Sequence, residues 1–494
     1  MLIRHSFLYL GAHGVPVLIR VATLSVLTWL LTPGEYGIYT MVVAVVGMTN
    51  AVGFHWLRVS LLRFLPSAQG EGGRGALLST IAVAYCIEVV VLSVLGGLAA
   101  IIFGFPQWIL VTLLLLWTQA WLELEVEVTR VQLNPVKYGV LLTTRALLGL
   151  TLSSGLAYLG GGAIGALWGL VIANLVPAAW SYWRNRYMWV VRGFDWRVMR
   201  QIWTFGLPLA TTSTLNYGVS TVDRFILGFM VGAEAAGLYA VAYDLPFQSL
   251  GALMTVTNLA GMPLAIRTLE NEGIAAARRQ LSANCVVLLG LGVPATLGII
   301  LLAPNVAGVF FGPEFQMDVA RLIPVIAVGT LLEGVKTYYL DQAFQLAKNT
   351  LAQVGVAVLT AISKVGLTII LVHHFGLVGA AYSTVISFLI AAMLSWGVGR
   401  NIFAMPFPVG SLVKIVVATL IMGWLIAPLA RYRGPLALGG QVIAGVLVYM
   451  CTAVLLNVGE LRVHLINTIE TWRLHRRSKA TGSYSLGSDH KNDF

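Results

Sequence analysis

Four basic residues, Arg20, Arg145, Arg224 and Lys364, lie inside long apolar stretches. A charge at the centre of a bilayer-spanning helix costs about 2.5–3.5 kcal/mol on insertion scales, so each needs a compensating environment. Two chemistries supply one. The cations can pair with acids at comparable depth, for which Glu88, Asp223 and Asp244 are available. Alternatively they can line a water-filled cavity that attracts an anionic ligand, since arginine forks match phosphate oxygens. Residue type and spacing leave both open.

The remaining reactive side chains have plainer readings. Glu123, Glu125 and Glu127 look like paired catalytic carboxylates, yet only Glu123 and Glu127 share a helical face, and they adjoin Arg130, which reads as a solvated helix end. Glu333 and Lys336, three residues apart, are placed to pair on one face, and Lys414 to snorkel from a helix end. His373-His374 has no third ligand nearby, and Cys86, Cys285 and Cys451 show neither zinc spacing nor a disulfide framework. There is no phosphate-cradling Gly-x-x-x-x-Gly-Lys-Ser/Thr loop. No catalytic residue, metal or cofactor is assigned, and were transport the function it would have to draw on a gradient.

The elements that hold these residues are apolar. The chain is 58% hydrophobic and 10% charged, against roughly 25% charged for a soluble domain. Stretches of about 20 apolar residues, long enough to cross a hydrocarbon core, recur throughout. They predict about fourteen transmembrane helices, near 7–31, 37–57, 76–102, 108–128, 138–159, 163–183, 203–230, 237–262, 281–303, 319–340, 350–372, 377–399, 409–430 and 436–456. The first lacks a small-residue cleavage site and reads as a span rather than a signal peptide. The fold class is therefore all-α and polytopic.

The net charge of +11 follows from topology rather than from nucleic-acid binding, which needs a folded basic surface. With the N-terminus inside, the inner segments collect Arg184, Arg186, Arg192, Arg197 and Arg200 among many others, while the outer ones hold Arg321, Arg431 and Arg433. That asymmetry places both termini in the cytoplasm. Trp180, Trp183, Trp189, Trp196 and Trp203 around the most basic loop read as an interfacial belt. Phe194, Val198, Ile202 and Phe205 form a helical stripe with Arg197 and Arg200 off it, as in a short interfacial helix joining two halves. The tail repeats the pattern, with Leu461, Leu465, Ile469 and Trp472 beside Arg462, Arg473, Arg476 and Arg477.

Two echoes divide the chain. Glu35 with Gly37-Ile38-Tyr39 recurs as Glu234 with Gly237-Leu238-Tyr239, and Gly162-Ala163-Ile164-Gly165-Ala166-Leu167-Trp168 recurs as Gly376-Leu377-Val378-Gly379-Ala380-Ala381-Tyr382. Their similar spacing predicts two six-helix bundles, 1–202 and 203–400, related by a parallel repeat about an axis along the membrane normal. Residues 401–460 supply two further helices and 461–494 a basic cytoplasmic tail. Arg20 and Arg224 then fall on one pair of equivalent helices, Arg145 and Lys364 on another.

The runs Phe205-Gly206-Leu207-Pro208-Leu209, Asp223-Arg224-Phe225-Ile226-Leu227-Gly228 and Gly237-Leu238-Tyr239-Ala240-Val241-Ala242-Tyr243, with Gly34-Glu35-Tyr36-Gly37-Ile38-Tyr39 near the start, resemble the bacterial polysaccharide transporter family. That family shares a superfamily with multidrug and toxin extrusion proteins, oligosaccharide-lipid flippases and the peptidoglycan precursor flippase. The resemblance implies a two-lobed inner-membrane flippase, not an enzyme, moving undecaprenyl-diphosphate-linked oligosaccharide repeat units by alternating access. Its implied setting is exopolysaccharide, capsule or lipopolysaccharide O-antigen assembly, with a polymerase and export components as partners. It also implies cationic groups in a central cavity, a role matched in type by Arg20, Arg145, Arg224 and Lys364. A multidrug antiporter would want an acid on the first helix, which offers Arg20 instead. A membrane glycan polymerase or ligase would want a large reactive outer loop, and the longest expected here, Pro304 to Asp318, is short and apolar.

Overall fold

The computed structural model describes residues 2–68, 70–187, 189, 194–460 and 462, and every regular element among them is helical. In chain order these are α1 (Leu2–Leu30), α2 (Pro33–Gly53), α3 (His55–Phe64), α4 (Gly70–Phe103), α5 (Pro106–Val131), α6 (Pro135–Leu156), α7 (Gly162–Asn185) and α8 (Trp196–Met230). There follow α9 (Ala233–Glu272), α10 (Ile274–Phe310), α11 (Pro313–Val335), the short α12 (Gln342–Leu346), α13 (Thr350–Ile402), α14 (Val409–Ile426) and α15 (Pro435–Leu455).

Ten helical stretches among the described residues are long and apolar enough to cross a bilayer. Two of them, 135–185 and 351–402, contain backbone breaks, near Gly160–Gly162 and at Gly376. Much of the helical surface is apolar and exposed; on α4, for example, Ile87, Val90, Val94 and Ile101 are each more than half exposed. A surface of that kind is stable only against lipid. The protein is an all-α, multi-pass membrane protein.

The helices start and stop where backbone chemistry dictates. Thr32 and Glu35 form a reciprocal cap on α2, with the Glu35 N–H donating to Thr32 Oγ1 at 3.3 Å and the Thr32 N–H to Glu35 Oε2 at 3.1 Å, and Pro33 fills the first turn. Two later turns are built alike. Leu133 (φ 54°) and Lys348 (φ 55°) adopt the left-handed conformation, and Asn134 and Asn349 then cap α6 and α13 through their side-chain oxygens. In each turn the asparagine N–H reaches back five residues, to the Thr129 carbonyl at 3.4 Å and the Phe344 carbonyl at 2.9 Å.

The sequence echoes have physical counterparts. Gly162 (φ 50°, ψ −142°) and Gly376 (φ 56°, ψ −134°) share a backbone conformation that side-chain-bearing residues avoid, and each starts the second limb of a helical hairpin. Gly37 and Gly237 meet across the molecule. A Cβ on Gly37 would lie 1.7 Å from the Ala233 carbonyl oxygen, and one on Gly237 would lie 2.1 Å from the Pro33 carbonyl oxygen. Each glycine thus lets its helix touch the backbone four residues ahead of the other.

Several local expectations are corrected. The stripe Val198, Ile202, Phe205 opens the continuous helix α8, capped by Asp195, and is no separate interfacial helix. It packs on α3, where Ile202 is fully buried, Phe205 meets Phe64 and Ser60 Oγ donates to the Ile202 carbonyl at 2.9 Å. Trp189 leaves the proposed belt for an aromatic cluster, 4.9 Å from Trp121, whereas Trp183 and Trp196 are 71% and 70% exposed. The loop expected at Pro304–Asp318 reduces to Phe311-Gly312 between α10 and α11, because the helices run on to meet it, and it docks on α1 through the Gly312 N–H to Thr28 Oγ1 at 3.2 Å. Arg192 and the amphipathic tail from Leu461 onward, Arg462 excepted, lie outside the described residues.

Candidate functional site

A cavity of about 330 Å³ opens among α1, α2 and α5 to α9. Three of the four embedded cations line it: Arg20 from α1, Arg145 from α6 and Arg224 from α8. Their surroundings differ. Arg224 is 8% exposed, forms a 2.5 Å ion pair with Asp244 of α9 and lies 5.9 Å from the centre of the Tyr243 ring. Arg20 is exposed and Arg145 half-buried, and among the described residues neither has a carboxylate within 4.0 Å. Both side chains border the cavity.

Lys364 lies elsewhere. It is 1% exposed between the limbs of α13, and its ammonium is 2.6 Å from Asp223 of α8, which is equally buried. Thr368 Oγ1 donates to Asp223 Oδ1 at 2.8 Å, Tyr239 Oη to Oδ2 at 2.5 Å and Thr384 Oγ1 to Oδ2 at 3.2 Å. The ammonium also donates to Thr384 at 2.7 Å. Each charge therefore has a partner plus hydrogen bonds, the condition under which a buried pair persists. Asp223 and Arg224 are chain neighbours, yet one points into this cluster and the other into the cavity.

Of the candidate acids, Asp223 and Asp244 thus pair with Lys364 and Arg224, while Glu88 sits half-buried on α4, away from the cavity lining and without an ion pair among the described residues. The other acids correct our expectations. Glu125 is fully buried rather than solvated, accepting from Ser181 Oγ at 2.6 Å and Asn185 Nδ2 at 3.2 Å. Glu123 binds Arg58, Asn50 and Gln119, so only Glu127, 3.6 Å from Arg130, keeps a helix-end role. Lys336 pairs with Asp341 at 2.8 Å, not with Glu333, because the helix widens to a π-turn at Lys336–Leu340. Lys414 donates from an exposed position to the Asn457 carbonyl at 3.3 Å. Among the described residues no three His, Cys, Asp or Glu side chains converge as metal ligands.

Embedded charges do not reveal the neutral polar lining: Gln119 of α5, Asn174 of α7 and Gln248 of α9, with Tyr36 and Tyr39 of α2. The same signal, a polar residue in an apolar run, was present but weaker.

The chain is a multi-pass helical membrane protein with an arginine-lined internal cavity. The chain belongs to the polysaccharide biosynthesis protein family, whose pattern it matches over residues 26–317. It is 21% identical over 256 residues to the probable low-salt glycan biosynthesis flippase Agl15 of Haloferax volcanii, an alignment covering 52% of this chain and 53% of that one. It is 26% identical over 180 residues to the probable flippase AglR of the same organism, covering 36% and 37%. The match therefore spans about half or less of these relatives' lengths. In fold, the chain is similar to the lipid II flippase MurJ in an inward closed conformation, with TM-score 0.74, 14% identity, and coverage of 91% of this chain and 99% of that one. It is also similar to an inward-facing multidrug resistance MATE family transporter of the MOP superfamily, at TM-score 0.62 and 16% identity over 80% and 97%.

Proposed function

We propose that the protein is a flippase moving undecaprenyl-diphosphate-linked oligosaccharide repeat units across the inner membrane for exopolysaccharide, capsule or O-antigen assembly, beside a polymerase and export components. The observation that carries this reading is the pair Arg20 and Arg145, which line the cavity with no carboxylate within 4.0 Å of either among the described residues. A diphosphate offers several anionic oxygens, and a cavity with low-dielectric walls concentrates its attraction for them. Three lining arginines against Asp244 make the cavity net positive, which disfavours the cationic substrates of a multidrug antiporter.

The matched turns at Leu133-Asn134 and Lys348-Asn349, the matched kinks at Gly162 and Gly376, and the reciprocal contact of Gly37 with Gly237 support two equivalent bundles, 1–202 and 203–400. Alternating access is then a rocking of one bundle against the other about the Gly37–Gly237 contact. Residues 401–460 add α14 and α15, for fourteen crossings in all, and the distribution of basic residues supports cytoplasmic termini.

The test is complementation of a flippase-deficient strain, with membrane abundance of each variant measured. A charge-assisted hydrogen bond is worth about 1.5–3 kcal/mol, so Arg20→Ala and Arg145→Ala are each expected to cut polysaccharide export by about tenfold or more at normal abundance. Parental export by both variants overturns the reading.

A further inference from the structure

Two lining residues carry buried oxygens that no group among the described residues satisfies. Asn174 is 2% exposed and its Oδ1 has no hydrogen-bond donor; Gln248, half-buried on α9, has an unpartnered Oε1. Both border the same cavity as Arg20 and Arg145, one from α7 and the other from α9. A buried amide oxygen without a donor is uncommon in folded proteins and calls for a partner.

The chemistry of the ligand follows from what the two sets of groups lack. Guanidinium groups only donate, so Arg20 and Arg145 ask for acceptor oxygens. The amide oxygens only accept, so Asn174 and Gln248 ask for donors. A bare diphosphate, which at neutral pH offers acceptors alone, leaves the amides unsatisfied. A hydrophobic cation satisfies neither set. A sugar joined to a diphosphate satisfies both, with phosphate oxygens for the arginines and hydroxyl or acetamido N–H groups for the amides.

We propose that Asn174 and Gln248 form a sugar subsite beside the arginines, reading donor groups on the glycosyl residue attached to the diphosphate. This rests on the flippase reading and adds specificity to it. A site built to hydrogen-bond a hydroxyl discriminates strongly against an analogue without one, because its own polar groups are then left unpaired. The arginines thus hold any polyprenyl diphosphate, and the amides distinguish the loaded carrier from the empty one.

The experiment measures binding of two probes to the full-length protein in lipid nanodiscs: undecaprenyl diphosphate, and undecaprenyl-diphosphate-linked N-acetylglucosamine. Asn174→Ala and Gln248→Ala are each expected to weaken the glycosylated probe by about fivefold or more and the bare diphosphate by less than about twofold. Arg20→Ala is expected to weaken both. Thermal unfolding monitors each variant, and Gln248→Ala, at the less buried site, decides the matter if Asn174→Ala does not fold. Equal weakening of both probes by the amide variants, or of neither, overturns the sugar subsite while a loss in Arg20→Ala leaves the flippase reading standing. Selective loss in the amide variants with no effect of Arg20→Ala supports the subsite and overturns the arginine–diphosphate contact.

Discussion

Arg20 and Lys364 begin as the same kind of anomaly, a cation within an apolar helix, and the fold resolves them in opposite ways. Lys364 is buried among α8, α9 and α13 and neutralised by Asp223, with Thr368, Tyr239 and Thr384 completing the carboxylate's hydrogen bonds. Arg20 opens on the cavity and no acid is within ion-pair range among the described residues. A charge that a protein has fully paired serves its own architecture. One kept hydrated and unpaired inside a membrane is available to something else. Arg224, paired with Asp244 yet lining the cavity, lies between the two cases.

The largest expected effect sharpens the buried side of that contrast. Asp223→Ala leaves the Lys364 ammonium in a dry site without its counter-charge, and removing one partner of a buried pair costs about 3–5 kcal/mol. A large fall in thermal unfolding temperature of the purified protein in detergent is expected. Replacing both, as Asp223→Leu with Lys364→Met, should recover most of that loss, because a buried pair exchanged for apolar side chains is often neutral. An Asp223→Ala protein that melts with the parent would mean the pair is hydrated after all.

An intermediate effect concerns the two halves rather than the two cations. Gly162→Ala and Gly376→Ala force a Cβ into backbone angles near φ 50°, ψ −140°, at a cost of about 1–3 kcal/mol each. Both turns should lose stability, Gly162→Ala somewhat more, because its Cβ would also lie 2.7 Å from Glu35 Oε1 while that of Gly376→Ala meets open space. By contrast, Gly355→Ala, within α13 with open space around its Cα, should gain up to about 1 kcal/mol from helix propensity. Unfolding temperatures of the three variants measure this directly, and a loss at only one of the kinks would weaken the case for equivalence.

What could be read from the chain alone follows the range of the interactions involved. Apolar runs are local, so the helical membrane fold was visible in the residues themselves, and the two echoes marked Gly37, Gly237, Gly162 and Gly376 as recurring positions. Ion pairing was not. Asp223 finds Thr368 and Thr384 at separations of 145 and 161 residues, and no spacing rule links them. The same limit misplaced Glu125, whose donors Ser181 and Asn185 come from α7, and Trp189, whose partner Trp121 belongs to α5. Where short-range spacing did suggest a pair, Glu333 with Lys336, the π-turn carried the lysine to Asp341 instead. Asn174 and Gln248 carry no formal charge and so give a weaker signal in an apolar run, although an unsatisfied buried amide also demands a partner.

The smallest expected effect on stability tests the other side of the opening contrast. Arg20→Ala removes an exposed, cavity-lining side chain that forms no ion pair among the described residues. Substitutions outside packed cores and buried networks usually change stability by about 0.5 kcal/mol or less. Arg20 and Arg145 also line one cavity and repel each other, so losing either relieves a like-charge contact and shifts the balance slightly toward greater stability. Arg20→Ala and Arg145→Ala should therefore unfold within a degree or two of the parent, since a change of about 1 kcal/mol moves the midpoint of even a 150–250-residue domain by only about 2–4 °C. Lys364→Ala strips Asp223 of its partner and should melt much earlier. The decisive measurement is the pairing of the two readouts, unfolding temperature and export, in the same variants. If Arg20→Ala loses stability as heavily as Lys364→Ala, its charge is structural, and the distinction between a cation held for the fold and one held for a ligand collapses.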